Sequence, residues 1–263
     1  MPPTRTPMYR RIATDLRAKI HAGELRPGGR LPTEPELAEQ YGVSRNTVRL
    51  ALGQLTNEGM ITATQGRGTF VREHVVLTTH ASTFEAPNRP TSPTDAYVSE
   101  VMKAGRKPSQ DFEMRIVEAT SEVAERLRID EGDAVVLRRC LRRVDGEGSS
   151  IQDTYYPMDL AQEHSLLMGP KDIPQGTTRY LADGGHSQVG YLDELTTRMP
   201  TPDEARFFEV PAGVPVLVHV RTGYTTTRPV RVTVTVHAGD RNRLVYELDD
   251  LQAVYDGERE SEA

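Results

Sequence analysis

The chain has 263 residues, 37% of them hydrophobic and 27% charged, which suits a soluble protein of two domains with real cores. It has no apolar run of about eighteen residues, its opening MPPTRTPMYRR lacks the apolar stretch of a secretory signal, and the lone Cys140 cannot form an internal disulfide, so a cytoplasmic protein outside the membrane is expected. Charge is unevenly divided: residues 1–72 carry +5 and the rest −11 within a total of −6, so only the head suits a polyanion.

Met8 to about Ala22 reads as a helix, because Ile12, Leu16 and Ile20 recur on one stripe with Ala13 beside them. Gly23 stops it and Pro27-Gly28-Gly29 turns the chain. Thr33-Glu34-Pro35-Glu36 is a capping box that opens a second helix running to about Gln40. After the turn Tyr41-Gly42-Val43, Ser44 caps a third helix reaching about Glu58. Its inward face is Val48, Ala51, Leu52 and Leu55, while Arg45, Asn46 and Arg49 lie outward near its start. Two short strands follow, Met60 to Thr64 and Thr69 to Val71, around a glycine-rich tip, Gln65-Gly66-Arg67-Gly68.

Three helices and then a hairpin is the order of a winged helix-turn-helix, in which the start of the recognition helix carries base-reading side chains into the major groove. Arginine can pair with guanine and asparagine with adenine, which suits Arg45, Asn46 and Arg49. Ser44 and Thr47, with the amides at the two helix starts, can meet phosphates. Gly66 and Gly68 let the wing approach sugars while Arg67 reaches the minor groove.

From about His74 to Pro93 the apolar periodicity fades into Thr, Ser and Pro, which reads as a linker. A short helix near Thr94 to Ala104 comes next. Strands are expected at Met114 to Val117 and Ala134 to Val144, with the helix Ser121 to Leu127 between them. Ser149 to Tyr156 returns as a hairpin arm after the turn Asp145 to Gly148. Thr177 to Asp183 is predicted helical, Ser187 to Arg198 extended and Asp203 to Phe208 helical. Val214 to Tyr224 and Val230 to His237 form a second long hairpin, with an edge strand at Val245 to Leu248. Two strand-rich blocks, each near a short helix, suggest an internal duplication. His164, His186, His219 and His237 are scattered without ligand-like spacing, so no metal site and no cofactor are expected.

The stretch LPTEPELAEQYGVSRNTVRLALGQLTNEGMITATQGRGTFV resembles the signature of the GntR-family regulators. That resemblance implies that Arg45 and Arg49 read or clamp an operator and that Thr33, Ser44 and Thr47 bind phosphates. Gln65, Gly66, Arg67, Gly68 and Thr69 would form the wing surface. Pro35 stands where family members usually carry an arginine that helps hold DNA. The strand-rich C-terminal half is similar to the HutC-type branch, whose UTRA domain has a chorismate-lyase-like α/β fold. The stretches that carry this are VVLRRCLRRVDGEG, IQDTYYPMDLA, DIPQGTTRYLADGGH, DELTTRMPTPDEA and VPAGVPVLVHVRTGY.

The fold class implied is α+β, with a winged helix-turn-helix over 1–73, a linker over 74–93, a UTRA-like effector and dimerisation domain over 94–252 and a flexible acidic tail over 253–263. UTRA domains bind small molecules, often anions such as sugar phosphates. By motif, the resemblance makes Arg138, Arg139, Arg142, Gln152, Asp153, Tyr155, Thr177, Arg179, Glu194 and Thr235 effector candidates. Strand alternation sets Arg139 opposite Arg138 and Arg142, and Cys140 stands where a second arginine is common. The function implied is a homodimeric repressor on a palindromic operator of double-stranded DNA, released by a small-molecule effector. The alternatives are an effector-independent repressor and a lyase-like enzyme. The second lacks support, since no GxSxG elbow, HExxH or phosphate loop is present.

Overall fold

A computed structural model describes residues 6–64, 66–72, 77–81, 96–211 and 213–247. Among them, helix α1 (Met8–His21), α2 (Glu34–Tyr41), α3 (Arg45–Asn57) and the antiparallel pair β1 (Ile61–Thr64) and β2 (Gly68–Val71) make the head. Ile12, Ala13 and Leu16 of α1 meet Leu37 of α2, the inward row Val48, Ala51, Leu52 and Leu55 of α3, and Ile61 and Val71 of the hairpin in one buried cluster. The Glu36 amide donates to the Thr33 hydroxyl while the Glu36 carboxylate accepts from the Thr33 amide at 2.7 Å, so the expected capping box is formed. Gly42 closes α2 in the left-handed conformation at φ 61°, which glycine adopts at least cost. Arg30 adds a bridge to Phe70, and Gly68 beside it has a φ of 113°, a conformation that favours glycine.

A six-stranded sheet dominates the rest, in the order β4 (Pro108–Glu118), β5 (Ala134–Val144), β6 (Glu147–Pro157), β9 (Pro229–Ala238), β8 (Val216–Tyr224) and β7 (Gly190–Arg198). Helix α5 (Ser121–Leu127) connects β4 to β5, and α8 (Pro202–Phe208) connects β7 to β8. Each helix is capped by a threonine, Thr120 or Thr201, and each ends in a left-handed residue, Arg128 or Glu209. Strand, helix and hairpin therefore occur twice, joined at β6 and β9, as the two strand-rich blocks suggest. Between β6 and β7 lie α6 (Met158–Glu163), a 3-10 turn (Ser165–Met168) and α7 (Thr177–Asp183). Leu160, Ala161, Leu167, Ile173 and Leu181 from this connection pack with Val136 and Tyr156 of the sheet.

Several expectations need correction. Leu77–His80, inside the segment read as linker, form β3, paired in parallel with β10 (Asn242–Val245). Leu77 and Leu244 then sit over the sheet, which repays extended structure where linear periodicity shows none. The edge strand begins at Asn242 rather than Val245, β4 is much longer than Met114 to Val117, and the expected helix near Thr94 is α4 (Ala96–Lys103). Helix α6 and the 3-10 turn were not expected. Residues 82–93 and the tail 253–263 lie outside the described residues, as does Gln65.

Contacts divide the chain into two compact units that do not follow linear order. One comprises 1–75, 199–216 and 239–241, and the other comprises 76–198, 217–238 and 242–263. Thus two pieces of the segment read as effector domain group with the head. Within that unit Arg72 Nη1 pairs with Asp240 Oδ2 at 2.8 Å, and Arg241 donates to Phe208 O at 2.9 Å.

Candidate DNA-reading surface and effector cavity

Helix α3 exposes one side of its first turn. Ser44, Arg45, Asn46 and Arg49 are exposed, Thr47 is half-buried, and Val48 between them is fully buried. The Thr47 amide donates to Ser44 Oγ at 3.2 Å, and the two hydroxyls lie 2.9 Å apart, so the cap fixes where the first turn begins. Arg45 and Arg49 are one helical turn apart and project from the same side. Thr33 is exposed at the start of α2, and Pro35 is exposed in its first turn. Gly66 and Arg67 form the exposed tip of the wing, with Gly68 and Thr69 half-buried behind it.

In the second unit, an open cavity lies over one face of the sheet. Arg142, Ser150, Gln152, Thr233, Thr235 and His237 line it from the central strands, and His219 and Arg221 line it from β8. Leu77, Thr79 and Leu244 of the β3–β10 pair and Tyr97 of α4 line it too. The register explains the set. Gln152 lies opposite Cys140 and Thr235, and Ser150 opposite Arg142 and His237, so these side chains share a face. Arg142 donates from Nη1 to Gln152 Oε1 at 2.6 Å, and its guanidinium lies 4.8 Å from the centre of the Tyr97 ring.

Asp193 of β7 holds both polar side chains that β8 sends into the lining. Arg221 grips its carboxylate with two bonds of 2.6 Å, and His219 Nε2 stands 3.0 Å away. Burial pushes the Asp193 carboxyl up, but the Arg221 and His219 hydrogen bonds outweigh it and hold the group well below the usual carboxylate range. His237 behaves in the opposite sense to a salt-bridged histidine. Burial first, and then the nearby His219 and Arg142 charges, lower its pKa from 6.5 to about 3, so it is a neutral imidazole at neutral pH.

This gives a pH dependence with a definite sign. An unfolded chain takes up a proton near pH 6.5 that the folded chain refuses until about 3, so the contribution is intact above that window and is lost as pH falls through it. The slope from this one group is at most about 1.4 kcal/mol per pH unit. Urea unfolding of the wild type between about pH 6.5 and 5 should show it, and His237→Gln should flatten it. Equal slopes in both proteins would remove His237 as the cause.

Of the effector candidates, the cavity gathers Arg142, Gln152 and Thr235. The others stand elsewhere. Arg138 shares the face of Arg142, but its guanidinium is enclosed by backbone carbonyls: Nη1 donates to Leu166 O at 3.0 Å, to Leu167 O at 3.2 Å and to Gly169 O, and Nη2 donates to Lys171 O at 2.6 Å. Arg139 forms two bonds, of 2.7 and 2.6 Å, with its cross-strand neighbour Asp153, and strand alternation puts both, with Tyr155, on the opposite face. Thr177 opens α7 and Arg179 pairs with Asp183 at 2.8 Å, both away from the lining. Glu194 is paired with Arg126 at 2.9 Å.

Sequence reasoning missed Tyr97, Ser150, His219, Arg221 and His237. The signal was present. In β8 and β9, Val216, Val218 and Val220 alternate with His219 and Arg221, and Val232, Val234 and Val236 alternate with Thr233, Thr235 and His237. Both faces of these strands are buried, so the polar row must line an internal space. Cys140 is buried on β5 and free of disulfides. The histidines that lie scattered in the sequence come together in the fold: His219 and His237 both line the cavity, and His164 and His186 meet beside Glu163.

Comparison with known proteins places these features in a family. Residues 8–71 match the bacterial regulatory proteins of the gntR family, and residues 103–243 match the UTRA domain. The HTH-type transcriptional repressor NagR of Bacillus subtilis (strain 168) is 30% identical over 93% of this chain and 96% of its own. The histidine utilization repressor of Pseudomonas putida is 28% identical over 90% of each chain. A crystal structure of a GntR-family transcriptional regulator superposes with a TM-score of 0.64 at 28% identity, covering 93% of this chain and 98% of that one. PhnF from Mycobacterium smegmatis, with a TM-score of 0.55 at 20% identity over 91% of this chain and 99% of its own, shares the fold. Among the described residues no helix is long and apolar enough to cross a membrane. With a winged helix-turn-helix first and a UTRA domain after it in sequence, the chain belongs to the GntR family of transcription regulators, in the HutC-type branch.

Proposed function

We propose that this regulator acts in the cytoplasm as a homodimeric repressor, bound to an inverted repeat and released when a small, anionic, hydroxyl-bearing molecule enters the cavity on the sheet. The observation that carries the effector class is the lining. Among the described residues it offers the Arg142 guanidinium, a neutral His237 and the hydroxyls of Ser149, Ser150, Thr233 and Thr235 with no carboxylate in the lining itself, while the Arg221 guanidinium is already held by Asp193. Such a surface favours an anion with several hydrogen-bonding groups over a cation or a hydrocarbon. The two named relatives are repressors, which favours repression here. The cavity is read as a sensor and not as a catalyst, in keeping with a family of regulators.

On the DNA side, Arg45, Asn46 and Arg49 meet base edges in the major groove. Ser44, Thr47 and Thr33 meet phosphates, and Arg67 at the wing tip enters the adjoining minor groove beside Gly66. Two-fold symmetry of a dimer matches two half-sites, and an effector that prefers one arrangement of the heads changes operator occupancy by that preference alone.

The test begins with genomic sites recovered on the protein and continues with fluorescence anisotropy on one of them. Among phosphorylated sugars, at least one is expected to bind once per chain by calorimetry and to weaken operator affinity tenfold or more, about 1.4 kcal/mol of coupling. Operator binding indifferent to every anion that occupies the cavity would contradict the sensor.

A further inference from the structure

Neither the recognition helix nor the cavity uses a cluster at the ends of α6 and α7. Glu163 is the last residue of α6, His164 follows it, and His186 comes just after α7 and Gly184-Gly185. One ligand atom from each of the three lies within 4.8 Å of the others. His186 Nε2 is 3.1 Å from Glu163 Oε2, and His164 Nε2 is 4.0 Å from Glu163 Oε1.

Two further observations separate this group from an ordinary surface ion pair. His164 is only 5% exposed, and its Nε2 has no hydrogen-bond partner. A buried polar atom left without one costs on the order of 1–3 kcal/mol, so its persistence calls for a reason. The ring is also held in place, edge-on to Tyr180 at 5.4 Å and to His186 at 5.1 Å between centroids. Gly184 makes the room: a Cβ there would stand 2.0 Å from His164 Cε1. Its φ of −90° is open to any residue, so the glycine serves the imidazole and not the backbone.

We propose that Glu163, His164 and His186 form a binding site for a divalent transition-metal ion, with zinc the best match. Two imidazoles and a carboxylate suit zinc, cobalt or nickel, whereas magnesium and calcium prefer oxygen alone. With metal–ligand bonds of about 2.0–2.2 Å, tetrahedral ligand atoms stand roughly 3.3 Å apart. The distances of 3.1 and 4.0 Å run to the two oxygens of one carboxylate and no pair in the set is more than 4.8 Å apart, so side-chain adjustments of about an ångström bring it onto one ion. The ion supplies His164 Nε2 with the partner it lacks, and the outward side, where Glu163 is exposed and His186 half-buried, leaves a position for water. It ties the end of α6 to the end of α7. None of the three residues lines the effector cavity, so this site stands or falls independently of the effector reading.

The test uses the full chain, stripped with a chelator and titrated with cobalt and then zinc. One cobalt per chain with visible ligand-field bands is expected, displaced by zinc, together with a higher melting temperature on zinc addition. His186→Ala and Glu163→Gln, both at accessible positions, should weaken zinc by at least about tenfold. Gly184→Ala should do the same without removing a ligand. No stoichiometric cobalt or zinc binding by the wild type, or affinity unchanged in both His186→Ala and Glu163→Gln, overturns the site.

Discussion

Replacing Arg45 with alanine is expected to weaken binding to the specific operator by about 1–3 kcal/mol, roughly five- to 150-fold, and to weaken binding to unrelated duplex far less. The side chain is exposed in the first turn of α3 and contributes nothing to the buried row Val48, Ala51, Leu52 and Leu55 behind it. Alanine is also a better helix former than arginine, so the loss cannot come from unfolding. Ser44 still caps the helix, and the remaining contacts still position it. The measurement is anisotropy on matched specific and scrambled duplexes at one salt concentration, because phosphate contacts alone make affinity steeply salt-dependent. Equal losses on both duplexes would reduce Arg45 to a phosphate clamp.

The second large effect separates two arginines that sequence alone treats alike. Arg138→Met should destabilise the effector unit by about 3 kcal/mol, since it removes charge-assisted bonds to the carbonyls of Leu166, Leu167, Gly169 and Lys171 and leaves those oxygens with fewer donors. At this chain length that corresponds to a fall in melting temperature of roughly 6–12 °C. Arg142→Met, four residues on and over the same face, faces the cavity and an aromatic ring. It should melt within about 1 kcal/mol of wild type and bind the operator normally, but should no longer be released by effector. Calorimetry of the two variants beside an operator-release assay decides the matter. The reverse pattern, a stable Arg138→Met that ignores effector, would move the binding site under α6.

The head was legible in the sequence because its determinants are local. Thr33 with Glu36, Ser44 with Thr47, and Gly42 fix where helices start and stop within a few residues, and periodicity assigns Leu37 and Val48 to the interior. The effector cavity was legible only in part because its walls come from distant places. Leu77, Tyr97, Arg142, His219 and Leu244 meet only once the sheet has formed and β3 has paired with β10. Alternation separates Arg139 and Asp153 from Arg142 and Gln152, yet cannot say which face is covered. Nor does it reveal that the 3-10 turn closes over Arg138, since the short helix after Pro157 offers little apolar periodicity beyond Leu160 and Ala161. His164 and His186 look unrelated in the linear sequence for the same reason: the return of the chain through α7 is what joins them.

The placement of α3 is tested most directly by removing single acceptor atoms from the operator. Each guanine in a half-site is replaced in turn by its 7-deaza analogue, which lacks the major-groove N7, and affinity is measured for wild type, Arg45→Ala and Arg49→Ala. At one or more guanines the wild type should lose affinity while one of the two variants does not, because the lost partner is already gone. Substitution losses that are the same in all three proteins at every guanine, or absent throughout, would show that these arginines do not read bases in the major groove.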